Sequence, residues 1–268
     1  MHRFYIAPKH WNPDHLILTE GEAHHARDVL RLKPGDKAVL FNGRGREITA
    51  ELADTPDHEL RFRKLTETET QPLKCRITLG QAIPKGKNMD LIVQKAVEIG
   101  VTEICPLMSQ RTVVDLDPEV FLQKQAKWQQ VAIEAAKQCG QNWLPQVRQP
   151  QTLKDFFSSV AAVYDRRASS AKNLQPNDES ASHFDLQLIG SLQPDAQHLK
   201  KILSQYFAEH SHRPASVLTL VGPEGDFTPA ELALAKSHGC LPITLGPIIL
   251  RVETAAIYCL SVLSYELF

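Results

Sequence analysis

The segment from Val217 to Phe268 constrains this chain more than any other: VLTLVGPEGDFTPAELALAKSHGCLPITLGPIILRVETAAIYCLSVLSYELF. Two short apolar runs, Val217–Val221 and Leu241–Leu245, each end in Gly-Pro, at Gly222-Pro223 and Gly246-Pro247. Apolar runs of this length, with β-branched members and turn signals at their ends, suit strands covered on both faces, as in a parallel sheet. Each turn leads into a helix. Thr228 is a good N-cap, Pro229 fits the first helical position and Glu231 completes a capping box. Arg251 to Leu267 then carries apolar residues at near-helical spacing. Strand, loop, helix, twice over, predicts an α/β fold. A glycine at the carboxyl end of a parallel strand lets a ligand approach the backbone closely, and open α/β sheets bind ligands along that edge. Neither GxxxxGKS/T nor GxGxxG occurs here, which disfavours a nucleoside triphosphate or a dinucleotide.

The first seventy residues have a different texture. HLILTE, DKAVLFNG, REITAELAD and HELRFRKLT are short alternating runs separated by Pro34-Gly35-Asp36 and Gly43-Arg44-Gly45, which predicts a small β domain. GEAHHARDVLRLKPG reads as one short helix on which His24, Arg27 and Arg31, at steps of three and four, share a face. That face is either solvated or a contact surface. Glu67 to Leu73 is polar and aperiodic, and the domain boundary is placed there. Beyond it, RITLGQAI, the basic loop PKGKN, a helix from Met89 to Ile99 stopped by Gly100, and a strand from Glu103 to Met108 form a strand, helix, strand unit with a right-handed crossover. Pro118 to Cys139 is a long amphipathic helix. In the turn after it, Asn142 is a candidate site residue, because its amide can both donate to and accept from a base or ribose. Ala161–Tyr164 reads as a strand ending near Arg166 and Arg167, which could meet phosphate, and Ser169–Ser182 as a loop. From Phe184 to Ser216, a strand-like DLQLIGSL and a helix from about Pro194 to Glu209 carry no evident chemistry.

Composition narrows the class. The chain has 268 residues with 30 Lys and Arg against 31 Asp and Glu, so bulk charge does not hold nucleic acid, although a handful of phosphate contacts on one face would suffice for it. The five cysteines are odd in number and scattered, without CxxC or histidine at ligand spacing, which supports neither a disulfide framework nor zinc. Met1–Trp11 holds no apolar core and no window reaches the length of a membrane span, so a cytoplasmic protein without membrane partners is expected.

GPEGDF and LGPIILRVETA together resemble the last two motifs of the SPOUT class of RNA methyltransferases, and within it the RsmE family, the small-subunit ribosomal RNA uridine N3 methyltransferases. HHARDVLRLKPGD followed by LFNGRG is similar to that family's N-terminal PUA-like barrel, and QKAVEIGVTEICPL and AIEAAKQCGQNWLPQV to further segments of it. The resemblance covers nearly the whole chain and is weakest from Ser169 to Pro214. It implies a PUA-like RNA-binding domain over 1–71 and a SPOUT domain over 72–268, with a mainly parallel sheet and a C-terminal trefoil knot that local patterning could not show. S-adenosylmethionine as methyl donor, small-subunit ribosomal RNA or the assembled subunit as substrate, and a homodimer are implied with it.

The same resemblance implies donor contacts at Leu220, Val221, Gly222 and Gly225 in the first loop, and at Leu245, Gly246, Ile249, Leu250, Thr254 and Ala255 in the second. RNA contacts are implied at Arg3, Arg27 and Arg31, with Asn142, Arg166 and Arg167 as further candidates. For the chemistry, Arg251 could stabilise charge on the base, while Glu224 or Glu253 could accept a proton or position a ribose, or hold its loop. Three positions depart from the family: Ile248 and Gln141 stand where it usually has arginine, and Asp226 where it usually has glycine. Two alternatives therefore stay open, a catalytically impaired RNA-binding relative and a methyltransferase with a different RNA target. An α/β enzyme acting on a small nucleotide is a third.

Overall fold

The structure is a computed structural model that describes residues 1–54, 59–111, 118–159 and 184–268. The strand expected at Ala161–Tyr164, the loop at Ser169–Ser182 and the candidates Arg166 and Arg167 lie outside the described residues. The chain divides into two compact units, one of Met1–Pro72 with Ala132–Pro145, the other of Leu73–Val131 with Gln146–Phe268.

The first unit is a five-stranded sheet in the order β1-β3-β4-β5-β2, formed by β1 (His2–Tyr5), β2 (Leu16–Ile17), β3 (Lys37–Phe41), β4 (Arg46–Leu52) and β5 (Arg61–Glu69). β1 pairs with β3 in parallel and the other pairs are antiparallel. Alternation does the work expected of it. Ile48, Ala50 and Leu52 point into a core with Phe4, Leu16, Leu40 and Phe62, while their β4 neighbours are partly exposed. β5 runs to Glu69, past the expected start of the linker. Beyond Phe62 every residue of β5 is exposed, so its polar, aperiodic sequence hides a strand still paired with β4 at Glu47–Thr68 and Arg46–Glu69.

The expected helix here is shorter and broken. α1 spans Glu20–His24, a π-helical turn follows at His25–Val29, and Arg31 sits in left-handed backbone at φ 55°. The expectation that His24, Arg27 and Arg31 share one helical face is therefore corrected. Wider π spacing and the left-handed turn break the steps of three and four on which it rests.

The second unit is an eight-stranded sheet in the order β11-β13-β10-β12-β6-β7-β8, with β9 also on β7. Its strands are β6 (Arg76–Ala82), β7 (Glu103–Met108), β8 (Gln146–Val147), β9 (Gln151–Thr152), β10 (Leu186–Gly190), β11 (Gln197–His198), β12 (Ser216–Val221) and β13 (Leu241–Thr244). Every pairing in it is parallel. The helices are α2 (Asn88–Ile99), α3 (Pro118–Cys139), α4 (residues 153–159), α5 (Leu199–Glu209), α6 (Pro229–Ser237) and α7 (Val252–Leu267). All six residues of β12 are buried, as a strand covered on both faces requires.

α6 starts with the capping box expected for it: Thr228 Oγ1 accepts from the Glu231 amide, and the Glu231 carboxylate accepts from the Thr228 amide. α2 stops at Gly100, which takes the left-handed conformation at φ 96°. α5 begins five residues later than expected. Gln197 and His198 are drawn into β11 against β13, and His198 then caps the helix by accepting from the Lys200 amide at 3.2 Å.

Candidate active site

Because β13, β10 and β12 are adjacent and parallel, their carboxyl ends emerge on one edge, and the three loops that follow them wall a cavity of about 840 Å³. Val221 ends β12 and Gly222–Glu224 and Asp226 follow it, Leu245–Arg251 come from the loop after β13, and Gly190 ends β10 with Ser191–Pro194 after it. Val252, Glu253 and Ala255 add the first turn of α7, and Asn88 the start of α2.

The loop after β12 is tied down from three neighbours. Glu224 Oε1 accepts from the Lys85 amide at 2.9 Å, the Gly225 carbonyl accepts from the Arg111 guanidinium, and Asp226 Oδ2 accepts from the Leu192 amide at 3.1 Å. Asp226 itself is in left-handed backbone at φ 63° and its Oδ1 accepts from the Phe227 amide at 2.8 Å. The loop after β13 turns at Gly246, whose φ of 134° only glycine adopts readily. No protein atom lies within 4 Å of where its Cβ would stand, so the space beside it is open to a ligand. Gly222 is different: a Cβ there would come within 3.2 Å of the Phe227 amide, so its absence lets the loop close on itself.

Of the expected donor contacts, Val221, Gly222, Leu245, Gly246, Ile249, Leu250 and Ala255 line the cavity. Leu220, Gly225 and Thr254 do not. The Leu220 side chain is part of the buried core, Gly225 lies against Arg111, and Thr254 is exposed. Ile248 is 75% exposed on the cavity wall. The stretch in which no chemistry was expected supplies Gly190, Ser191, Leu192 and Gln193. The signal available for them was the glycine ending the DLQLIG run.

Among the described residues, the charged lining consists of Glu224, Asp226 and Glu253 against one cation, Arg251. Three carboxylates facing one guanidinium suit a cationic ligand and disfavour a polyphosphate. Glu253 Oε2 accepts from Asn88 Nδ2 at 3.3 Å, so Glu224 and Glu253 are each anchored through one oxygen. Arg251 is exposed, caps α7 without a side-chain bond, and has no ion-pair partner among the described residues. No group of three or more metal-ligating side chains occurs among the described residues.

In the first unit, Arg3 and Asn142 are brought together, but with each other. Arg3 donates to Asn142 Oδ1 at 2.6 Å and to Glu47 Oε2 at 2.8 Å, and its guanidinium stacks over the Phe41 ring. Asn142 Nδ2 donates to Thr70 Oγ1 at 2.9 Å, and Trp143 Nε1 donates to the Thr70 carbonyl at 2.8 Å. Burial pushes the Glu47 carboxyl up, but bonds from Arg3 and Asn142, the Arg3 charge and a bond from Thr68 outweigh it and leave it lowered. An RNA contact by Arg3 or Asn142 would require this network to open. Arg27 and Arg31 are exposed.

A sheet of parallel strands with a glycine-turned cavity at its carboxyl edge in one unit, and a β sheet in the other, define a two-unit α/β protein with a candidate small-ligand site. The chain belongs to the RNA methyltransferase family: its residues 71–264 match the RNA methyltransferase domain, and residues 18–65 the RNA methyltransferase PUA domain. Among its relatives, the ribosomal RNA small subunit methyltransferase E of Synechocystis is 30% identical, over 97% of this chain and 76% of that protein. The protein of the same name from Mesomycoplasma hyopneumoniae is 31% identical, over 97% and 98%. A ribosomal RNA small subunit methyltransferase E from Neisseria gonorrhoeae, solved bound to S-adenosyl methionine, superposes with a TM-score of 0.74 at 29% identity, covering 99% of this chain and 97% of that one. A Legionella pneumophila putative methyltransferase, solved with the bound cofactor SAM, superposes at 0.77 with 32% identity, covering 98% and 96%. No helix among the described residues is long and apolar enough to cross a membrane.

Proposed function

We propose that the chain is an S-adenosylmethionine-dependent methyltransferase acting on a uridine N3 of small-subunit ribosomal RNA, in the cytoplasm. The observation that carries this reading is the acid-lined cavity at the Gly222 and Gly246 turns, in a chain of the RNA methyltransferase family. The residues present fit the donor. Its sulfonium and ammonium are cationic, matching Glu224, Asp226 and Glu253, and its adenosine suits the apolar wall of Ile243, Leu245 and Leu250 with the open backbone at Gly246. A nucleotide carrying phosphates would meet the same carboxylates unfavourably, which counts against an enzyme of small nucleotides.

S-adenosylmethionine supplies a methyl group already activated on sulfur. The protein's task is to exclude water, align the acceptor and lower the cost of ionising it. Uracil N3 is a poor nucleophile while protonated, so Arg251, the cation of the cavity wall, stabilises the anion that forms as the proton leaves. Glu224 and Glu253 each spend one oxygen on holding a loop and keep the other for the departing proton or a ribose hydroxyl. In the first unit, Arg27 and Arg31 are the exposed groups assigned to RNA phosphate. A homodimer belongs to the same reading. Tyr258 and Tyr265, one stripe of α7 seven residues apart, remain 44% and 86% exposed, and Ile249 is 75% exposed, leaving apolar surface for a second copy to cover.

The test is calorimetric titration with S-adenosylmethionine, followed by methyl incorporation into small subunits lacking the modification and analysis of the released nucleosides. Saturable donor binding and 3-methyluridine are expected. Methylation at another atom or in another RNA would overturn the assignment of substrate, and donor and RNA binding without transfer would favour the catalytically impaired relative. Light scattering on the same preparation should give twice the chain mass, and a monomer would remove the dimer from the reading.

A further inference from the structure

The loop Lys85–Asn88 after β6 has two sides of opposite charge. Asn88 faces the acid-lined cavity, and the Lys85 amide holds Glu224 beside it. Lys85, Gly86 and Lys87 also wall a second recess of about 390 Å³, completed by Met89, Asp90, Lys124, Lys127 and Trp128. Among the described residues, four lysines therefore surround one carboxylate. That carboxylate is already engaged: Asp90 Oδ2 accepts from Lys127 Nζ at 2.6 Å and Oδ1 from Trp128 Nε1 at 3.1 Å. Lys85, Lys87 and Lys124 have no ion-pair partner among the described residues. In a chain whose charges nearly cancel, at 30 basic against 31 acidic side chains, three such lysines around one recess are a local departure.

We propose that this recess is a second RNA-binding site, in which Lys85, Lys87 and Lys124 take phosphates of the strand that presents its target base to the neighbouring cavity. The inference rests on the proposed activity and adds contacts in the C-terminal unit that the assignment to Arg27 and Arg31 lacks. Three lysines without ion-pair partners among the described residues, around a concave wall, match phosphodiester charge, and flexible ammonium groups suit a strand of changing sequence, since phosphate contacts position without reading bases. The shared loop explains why the site lies here. A strand entering one side of Lys85–Asn88 has its next phosphates within reach of the other, while the carboxylates on the donor side repel the backbone and favour entry of the neutral base alone.

The decisive variant is Lys85→Gln with Lys87→Gln and Lys124→Gln in the full chain, compared with the corresponding triple Lys→Arg protein. None of these side chains holds the donor cavity, because Lys85 reaches Glu224 through its backbone amide. Binding to small-subunit RNA, both protein-free and within subunits lacking the modification, is measured across a salt series, and S-adenosylmethionine affinity and thermal midpoint are measured on the same preparations. The glutamine protein should bind RNA about tenfold or more weakly, with a salt slope shallower by about 2 at roughly 0.7 per contact, while donor affinity stays at the parental value. The arginine protein should keep both affinity and slope. Parental RNA affinity and slope in the glutamine protein, while the parent methylates its RNA, would overturn the second site and leave the enzyme reading intact. A parent that binds no small-subunit RNA would overturn both. Equal losses in the glutamine and arginine proteins would also overturn it, because they would show a role of shape rather than charge.

Discussion

Arg31 in the first unit and Asp226 in the second both hold left-handed backbone, at φ 55° and 63°. For a residue with a Cβ this costs about 1–2 kcal/mol, less for aspartate, which bonds its own backbone. Around Asp226 the structure offsets the cost. Its two carboxylate oxygens accept from Phe227 and Leu192, closing its own loop and tying it to the loop after β10. Around Arg31 only the backbone is satisfied, through the Leu32 amide on the Ala26 carbonyl at 3.0 Å and the Leu30 amide on the His25 carbonyl at 2.9 Å. The guanidinium has no hydrogen bond or ion pair among the described residues. Strain repaid locally is explained by the fold. Where it is not repaid, the backbone cost stands without a compensating side-chain contact among the described residues.

The larger effect should come from breaking the repaid case. Asp226→Ala keeps a Cβ in left-handed backbone while removing both carboxylate bonds, so the loop after β12 loses its tie to Leu192. The expected outcome is about 1–3 kcal/mol of lost stability together with about tenfold weaker S-adenosylmethionine binding. Asp226→Gly loses the same bonds but relieves the backbone, and should recover about 1 kcal/mol relative to alanine. Thermal unfolding and calorimetry on both variants separate the two contributions. Equal stabilities would show that the backbone cost is negligible, and parental donor affinity in both would show that the Leu192 tie does not shape the cavity.

The same contrast explains what could be read from the chain alone. Signals confined to a few neighbouring residues were legible: the Thr228 capping box, the Gly100 stop, and the Gly222 and Gly246 turns all stand where local chemistry puts them. The Gly190–Gln193 wall was not, because DLQLIG announces only a strand. Its place in the cavity comes from β10 lying between β13 and β12, an ordering set by pairings far apart in sequence. Ala132–Pro145 joins the first unit through contacts of the same kind, such as Arg3 with Asn142 across 139 positions, which leave no mark on the periodicity of α3. The face assigned to Arg31 failed for a local reason, since a π turn and a left-handed residue resemble an ordinary helix in residue type.

The smaller and more telling effect is expected at the unrepaid turn. Arg31 occupies the position after a helical end where glycine is usual, so Arg31→Gly should leave stability unchanged or raise it by about 0.5–1 kcal/mol. A residue retained only for the fold would show nothing further. If its guanidinium meets RNA phosphate, the glycine protein, though at least as stable, should bind small-subunit RNA about threefold more weakly. Its salt slope should be shallower by about 0.7–0.9, the share of one contact. Arg31→Lys, which restores charge without the planar fork, should recover the slope and part of the affinity. Stability from thermal unfolding and affinity from a salt series then move in opposite directions, a combination that general loosening of the β unit cannot produce. If Arg31→Gly gains stability while RNA affinity and slope stay parental, the strain at Arg31 serves no contact, and the RNA surface of the first unit must be sought away from this turn.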